Sequence, residues 1–115
     1  MFPGLENVRV FVRPGATDMR KSINGLSVIA QDAMSGDPFS GALFVFSNRR
    51  RNILKILYWQ RNGFCLWLKK LEKGRFPWPM QAEDCISLRE EELHWLLDGI
   101  DFWQRHENLN YSRVV

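Results

Sequence analysis

The sequence has few cysteines and no long apolar run. Its two cysteines, Cys65 and Cys85, lack the Cys-x-x-Cys spacing of structural zinc sites, and isolated thiols are typical of a reducing compartment. The longest apolar run near the middle of the chain, Phe64–Leu68, is far shorter than the roughly 20 residues that span a bilayer. The first residues have neither the basic nor the apolar region of a secretory signal. We therefore expect a cytoplasmic protein without a membrane segment.

Residue groups that carry out catalysis are also missing. There is no glycine-rich phosphate loop ending in Lys-Ser/Thr. Asp18, Asp32 and Asp37 do not form an evident pair of metal-binding carboxylates, which metal-dependent nucleases need. His94 and Asp98 lie four residues apart and supply one ligand pair at most. We therefore predict a protein that is not an enzyme and that uses no metal ion or other cofactor.

Charged residues, by contrast, are abundant and unevenly distributed. The chain is 25% charged and 45% hydrophobic, which is typical of a globular protein. Residues 1–75 hold 13 Lys or Arg and 5 Asp or Glu, a charge of +8, whereas residues 76–115 hold 3 and 8, a charge of −5. Charge of one sign concentrates where a partner of opposite sign binds. The basic part therefore indicates a polyanion partner and the acidic part a basic protein, unless both are simply solvated surface.

The hydrophobic pattern predicts an α+β fold, with a small antiparallel sheet of about four or five strands. Three apolar runs within residues 42–69 predict a central three-stranded meander, and Asn62-Gly63 is expected to form a type I′ turn between two of them. Asn7–Arg13 alternates like a strand with one face on the core. The second meander strand is apolar on both faces, so we expect cover on both sides of the sheet.

Two helices are predicted to pack on this sheet, one long and one near the C-terminus. Thr17 is expected to cap the first, whose apolar stripe runs through Met34 with Gly36 at its C-terminal stop. Ser87–Glu90 has the pattern of a capping box for a second helix over Leu88–Asp98. We divide the chain into a single domain, residues 1–104, and a polar tail, residues 105–115.

Two groups of cations are predicted to bind phosphate. Arg20 and Lys21 lie in the first turn of the predicted helix, beside free backbone amides, and a bound phosphate would relieve their repulsion by the helix dipole. Arg49, Arg50 and Arg51 lie at the tip of the first meander loop, where arginines can enter a groove or hold phosphates. Solvated cations without a ligand are the alternative in both places.

Several motifs, in this order, resemble the small accessory protein of the insertion sequence 66 family of bacterial mobile elements, called TnpB or the Orf2-like protein. They are Thr17–Lys21, Asp37–Gly41, Leu43–Phe46, Asn62–Trp67 and Leu71–Phe76, and Leu96–Asp101 is similar to the closing helix of that family. The resemblance covers about Asn7–Asp101. The loop Asn48–Asn52 differs from the family pattern, because it has no glycine or acidic residue among its arginines.

The resemblance implies an accessory role in transposition rather than the recombinase activity itself. Expected partners are DNA, at element ends or at the target, the transposase, other element-encoded accessory proteins and a second copy of the chain. In the first hypothesis the five cations bind DNA and help to position the transposase. In the second the protein binds the transposase without touching DNA, through the acidic second helix and four aromatic residues: Phe76, Trp78, Phe102 and Trp103.

Overall fold

The computed structural model describes residues 7–81 and 84–105. In chain order the elements are β1 (Val10–Val12), α1 (Ile23–Asp32), β2 (Leu43–Ser47), β3 (Ile53–Gln60), β4 (Gly63–Lys70), β5 (Ile86–Leu88) and α2 (Glu90–Leu97), followed by a 3-10 turn, Trp103–Arg105. The strands form one sheet in the order β4-β3-β2-β1-β5. The predicted α+β class and the antiparallel meander β2-β3-β4 are confirmed. The sheet is mixed, because β1 and β2 are parallel and α1 connects them.

The sheet has a hydrophobic core on each face. On one face Leu26 and Ala30 of α1 pack with Phe44, Phe46 and Leu57 of the sheet. The other face packs against α2 and against the chain around residues 76–80. Because β3 contributes buried side chains to both cores, its continuous apolar sequence is explained as predicted.

The core beneath α2 also contains four aromatic residues, two from the chain after β4 and two from the chain after α2. Phe76, Trp78, Phe102 and Trp103 are all at least nine-tenths buried. The indole N–H of Trp78 donates to the carbonyl oxygen of Gly15 at 2.8 Å, and that of Trp103 donates to the carbonyl oxygen of Pro77. Residues 76–79 form neither helix nor strand, and Phe76 and Trp78 are docked in the core, as expected. The same burial contradicts the hypothesis that these four aromatics form a surface for another protein.

α1 begins later than predicted. Its N-cap is Ser22, and Thr17 is buried with its N–H donating to the carbonyl oxygen of Ser47 at 2.8 Å. The left-handed residue after the helix is Ser35, with φ 52°. Gly36 is needed for a different reason, because a Cβ at this position would lie 2.5 Å from Cε1 of Phe44.

The hairpin between β3 and β4 turns one residue earlier than predicted. Gln60 pairs with Gly63, so the turn residues are Arg61, with φ 58°, and Asn62. The expected Asn62-Gly63 turn was wrong because the strand pairing sets the register. In that register the rings of Trp59 and Phe64 meet edge to face, with 5.0 Å between their centroids.

α2 begins two residues later than predicted, because Ser87 and Leu88 belong to β5. This strand pairs antiparallel with β1, and Leu88 lies opposite Val10. The N-cap residue is Arg89, whose backbone N–H donates to Oε1 of Glu92 at 2.8 Å. The predicted capping box over Ser87–Glu90 was therefore wrong, since a carboxylate three residues beyond the actual cap performs that role.

The end of α2 agrees with the prediction. Gly99 has φ 76°, its N–H donates to the carbonyl oxygen of Leu96 at 3.1 Å, and the N–H of Ile100 donates to that of Trp95 at 2.9 Å. This pair of bonds is the Schellman motif, which needs a residue in the left-handed conformation. Within the described residues no helix is long and apolar enough to cross a membrane. The predicted tail lies outside the described residues apart from Arg105, and the division into domain and tail stays a prediction.

Candidate nucleic-acid interface

The loop between β2 and β3 is organised by its two flanking asparagines. Oδ1 of Asn48 accepts the backbone N–H groups of Asn52 at 3.0 Å and Ile53 at 3.1 Å, and its Nδ2 donates to Oδ1 of Asn52 at 2.7 Å. Arg49 and Arg50 are exposed at the tip. Side-chain amides that bond to nearby backbone groups are a common way to fix a turn. This role of Asn48 was not predicted, although an asparagine at each end of a short polar loop is a signal for it.

Arg51 differs from its two neighbours. It is half-buried, has a left-handed φ of 61°, and its carbonyl oxygen accepts the N–H of Phe76 at 2.6 Å. The next carbonyl, of Asn52, accepts the N–H of Leu71 at 2.8 Å. These bonds hold the segment 71–76 beside the loop, and its cations Lys73 and Arg75 are exposed there.

The turn 17–21 is attached to the same end of the sheet. Thr17 bonds to Ser47, the last residue of β2 before the loop. Lys55 is nine-tenths buried, and its ammonium group donates to the carbonyl oxygens of Met19 at 2.8 Å and Lys21 at 3.0 Å. Lys55 is therefore not an exposed cation of the loop, because its charge is used internally. Its side chain connects β3 to this turn by hydrogen bonds.

Arg20 and Lys21 are not in a helical turn. They precede the first residue of α1, Ile23, so the predicted phosphate site at a helix N-terminus is absent from this turn. Arg20 instead forms an ion pair with Asp18, with 2.7 Å between its Nη2 and Oδ2 of the carboxylate. The hydrogen bonds from Arg20 lower the pKa of Asp18 from 3.8 to about 2. Lys21 is exposed.

Three segments therefore meet at one end of the sheet, and we call them together the basic end: residues 17–21, 48–52 and 71–76. They hold seven Lys or Arg and two Asp or Glu. All five predicted site residues belong to it, with Lys73 and Arg75 in addition. Fixed loops with exposed cations can hold the phosphates of a nucleic acid.

The acidic first turn of α2 lies toward the opposite end. β5 runs antiparallel to β1 and reaches the start of that strand at Leu88, immediately before the helix. Glu90 and Glu91 are exposed there, and Arg89 forms an ion pair with Glu91 at 2.5 Å. The charge asymmetry of the sequence is thus partly an asymmetry in space.

Several other residues with charged or reactive side chains are not part of the basic end. The amine of Lys69 donates to the carbonyl oxygen of Leu97 at 2.9 Å, so it caps α2. Cys65 and Cys85 pack against different cores, and burial raises the pKa of the Cys85 thiol. Within residues 7–81 and 84–105 no group of three or more His, Cys, Asp or Glu side chains could hold a metal ion.

Comparison with known proteins gives consistent matches over most of the chain. A family model described as IS66 Orf2 like protein matches residues 8–107. Two uncharacterized proteins of Sinorhizobium fredii (strain NBRC 101917 / NGR234) are similar. One, y4hO, is 36% identical over 114 residues, 99% of each chain. The other, y4jC, is 34% identical over 98 residues, 85% of this chain and 83% of that protein. No solved structure matches significantly.

Proposed function

Because the chain belongs to the IS66 Orf2-like family, which is associated with transposition of IS66 elements, we propose that it is a non-catalytic accessory protein that binds DNA through the basic end. The observation that carries this proposal is the loop 48–52. Asn48 and Asn52 fix its backbone, so Arg49 and Arg50 are presented to solvent at a defined place. The turn 17–21 and the segment 71–76 add cations on either side of it.

The expected mode of binding is contact with backbone phosphates. Loop arginines and lysines hold phosphates without reading bases, so sequence preference should be weak. The basic end has a net charge of five, from seven cations and two carboxylates. If about five phosphates are neutralised, the logarithm of the binding constant should fall with the logarithm of salt concentration with a slope of about −4.5.

A salt series with matched variants tests this mode. Fluorescence anisotropy with duplex element-end DNA should give a slope smaller by about two for the double variant Arg49→Ala, Arg50→Ala. The matched control is Arg9→Ala with Arg61→Asn, which removes two exposed arginines from the opposite end; asparagine tolerates the left-handed φ of 58° at position 61. The control should leave the slope unchanged. If the slope decreased equally in both double variants, the effect would depend on net charge alone, and a defined interface at the basic end would be contradicted.

Assistance to the transposase is the second part of the proposal. With the basic end on DNA, the acidic first turn of α2 remains accessible, and its exposed Glu90 and Glu91 suit a basic protein surface. Co-purification with the transposase after nuclease treatment would support this contact. Glu90→Lys with Glu91→Lys should abolish it, whereas DNA binding should be retained.

The alternative is a module that binds the transposase and never contacts DNA. Its predicted aromatic residues are buried, so of the surface predicted for it the acidic turn of α2 remains. Co-purification that persists after nuclease treatment, together with no anisotropy change at low salt, would favour this alternative over the DNA-binding proposal.

A further inference from the structure

β4 forms an open edge of the sheet. It is the last strand in the order β4-β3-β2-β1-β5, it has eight residues, and each of them is exposed or half-buried. Among the described residues no strand pairs with its outer side. A long edge strand of this kind is a template for pairing with another strand, and proteins usually protect such an edge unless it is used.

The pairing pattern shows which backbone groups of β4 point outward. The N–H of Leu71 donates to the carbonyl oxygen of Asn52, so this opposed pair is hydrogen-bonded. In an antiparallel ladder hydrogen-bonded and non-hydrogen-bonded pairs alternate. The residues that turn their N–H and C=O groups away from β3 are therefore Phe64, Leu66, Leu68 and Lys70. Their side chains lie on the face covered by α1, because Leu66 lies opposite Leu57.

The edge formed by β4 is apolar in its middle and cationic at its C-terminal end. Phe64–Leu68 carries no charge, Lys69 and Lys70 follow it, and Arg61 precedes it. The side chain of Leu68 is 54% exposed. Beside Phe64 the ring of Phe39 is 59% exposed, with its centroid 5.3 Å from that of Phe64. The exposed Phe39 and the half-buried Phe64 therefore lie at one end of the strand and two lysines at the other.

We propose that β4 pairs antiparallel with β4 of a second copy of this chain, about a two-fold axis at Trp67. In this register Leu66 of one copy lies opposite Leu68 of the other, and Phe64 lies opposite Lys70. The apolar centres cover each other, and Lys70 of each copy lies opposite the ring of Phe64 of the other, which attracts a cation. Lys69 lies opposite Cys65, so within the paired strands no lysine faces another lysine.

A second copy fits this edge because an antiparallel strand pair is self-complementary. In a two-fold interface both partners use the same patch. Along β4 the order is aromatic, apolar, cationic, so in an antiparallel pair the aromatic end of each strand faces the cationic end of the other. The two five-stranded sheets would join into one of ten strands. This proposal does not depend on DNA binding, since the basic end lies outside the paired residues.

Sedimentation velocity over a concentration series tests the interface. The full-length protein should dimerise on the order of micromolar concentration, as expected for a small interface. Leu68→Lys should raise the dimer dissociation constant by roughly tenfold or more, because it places a cation against the apolar centre of the partner. The control is Val28→Lys on α1, where the side chain is also exposed, at 55%, but does not belong to β4, and it should have no effect.

Disulfide trapping tests the register. In the proposed pair the Cα atoms of the two Trp67 residues are about 4.5 Å apart, within the range of a disulfide. Trp67→Cys with Cys65→Ser should therefore form a covalent dimer on oxidation. The native protein should not, because the two Cys65 residues are separated by four positions, about 13 Å along the strand. A monomer at all concentrations, as when another segment of the chain or the transposase covers the edge, would overturn the proposal. So would trapping through native Cys65.

Discussion

Lys55 contributes to the basic end through its hydrogen bonds to the turn 17–21. It does not add an exposed cation there. It holds two carbonyl oxygens of the turn 17–21, those of Met19 and Lys21, at 2.8 and 3.0 Å. Removing the amine would take a charged donor from two carbonyl oxygens of the turn, and hydrogen bonds to charged groups are stronger than neutral ones. An internal lysine of this kind cannot be told from a surface lysine by the sequence pattern alone.

Two variants that each remove one positive charge, Lys55→Met and Lys73→Met, should differ in their stability. Lys55→Met is expected to lower the free energy of unfolding by about 1–3 kcal/mol, because the carbonyl oxygens lose a charged donor. Urea denaturation measures this loss. The control is Lys73→Met, an exposed cation of the basic end, which should change stability by less than about 0.5 kcal/mol. Equal stability of the two variants would contradict the hydrogen bonds from Lys55 to the turn 17–21.

The ion pair between Asp18 and Arg20 makes a pH-dependent contribution with a defined sign. The folded pKa of Asp18, about 2, lies below its ordinary value of 3.8. The stabilisation is therefore present above about pH 4 and is lost as the pH falls toward 2. An NMR titration of the side-chain carboxyl should show the low pKa, and Arg20→Gln should return it toward 3.8. A pKa already at the ordinary value in the native protein would contradict the pair.

The same pair limits how much of the Arg20 charge is available to DNA. Asp18→Asn should release the guanidinium and remove one negative charge, so DNA affinity should rise and the salt slope should become steeper by up to about one. The salt series described for Arg49 and Arg50 measures it. No change in slope would place Arg20 outside the interface.

Local elements could be predicted from the sequence, whereas contacts between distant segments could not. The meander follows from three apolar runs separated by short polar connectors, signals that act over a few positions. The pairing of Ser87 with Phe11, far apart in the chain, has no local signal, and it turned an apparent capping box into a strand. Thr17 was likewise assigned to a helix because its bond to Ser47 is non-local.

The candidate site was predicted in part for the same reason. The exposure of Arg49 and Arg50 follows from three arginines in a short polar loop, and the structure agrees. Arg20 and Lys21 were selected for their relation to a helix terminus that lies elsewhere. Their location beside the loop depends on Lys55, which is more than thirty positions away in the chain. Whether any of the five binds DNA stays a prediction.

In the connection between α1 and β2, the backbone of Gly36 lies close to the ring of Phe44. Gly36→Ala should lower the free energy of unfolding by about 1–3 kcal/mol, because the added methyl group meets the ring of the fully buried Phe44 and overpacks that core. Thermal or urea denaturation measures the change. Gly63→Ala is the control, since a Cβ there would contact nothing within 4 Å, and it should be neutral within about 0.5 kcal/mol. A neutral Gly36→Ala would contradict the packing at this corner.

The whole molecule has a charge axis as well as two cores. The basic end gathers cations where β2 turns into β3, and the acidic turn of α2 begins beyond the other end of β1. A charged ligand is oriented by such an axis before contact, and the rate of association then falls with salt. On DNA, the molecule should therefore approach with the loop 48–52 first and leave α2 free for a protein partner.

An NMR titration of the isotope-labelled protein with duplex element-end DNA tests the central claim most directly. The account predicts that amide signals of residues 17–21, 48–52 and 71–76 shift together, and that the shifts disappear on addition of salt. Signals of the hairpin turn at Arg61 and of the first turn of α2 should stay in place. Shifts confined to α2, or spread evenly over the surface, would contradict a DNA interface at the basic end.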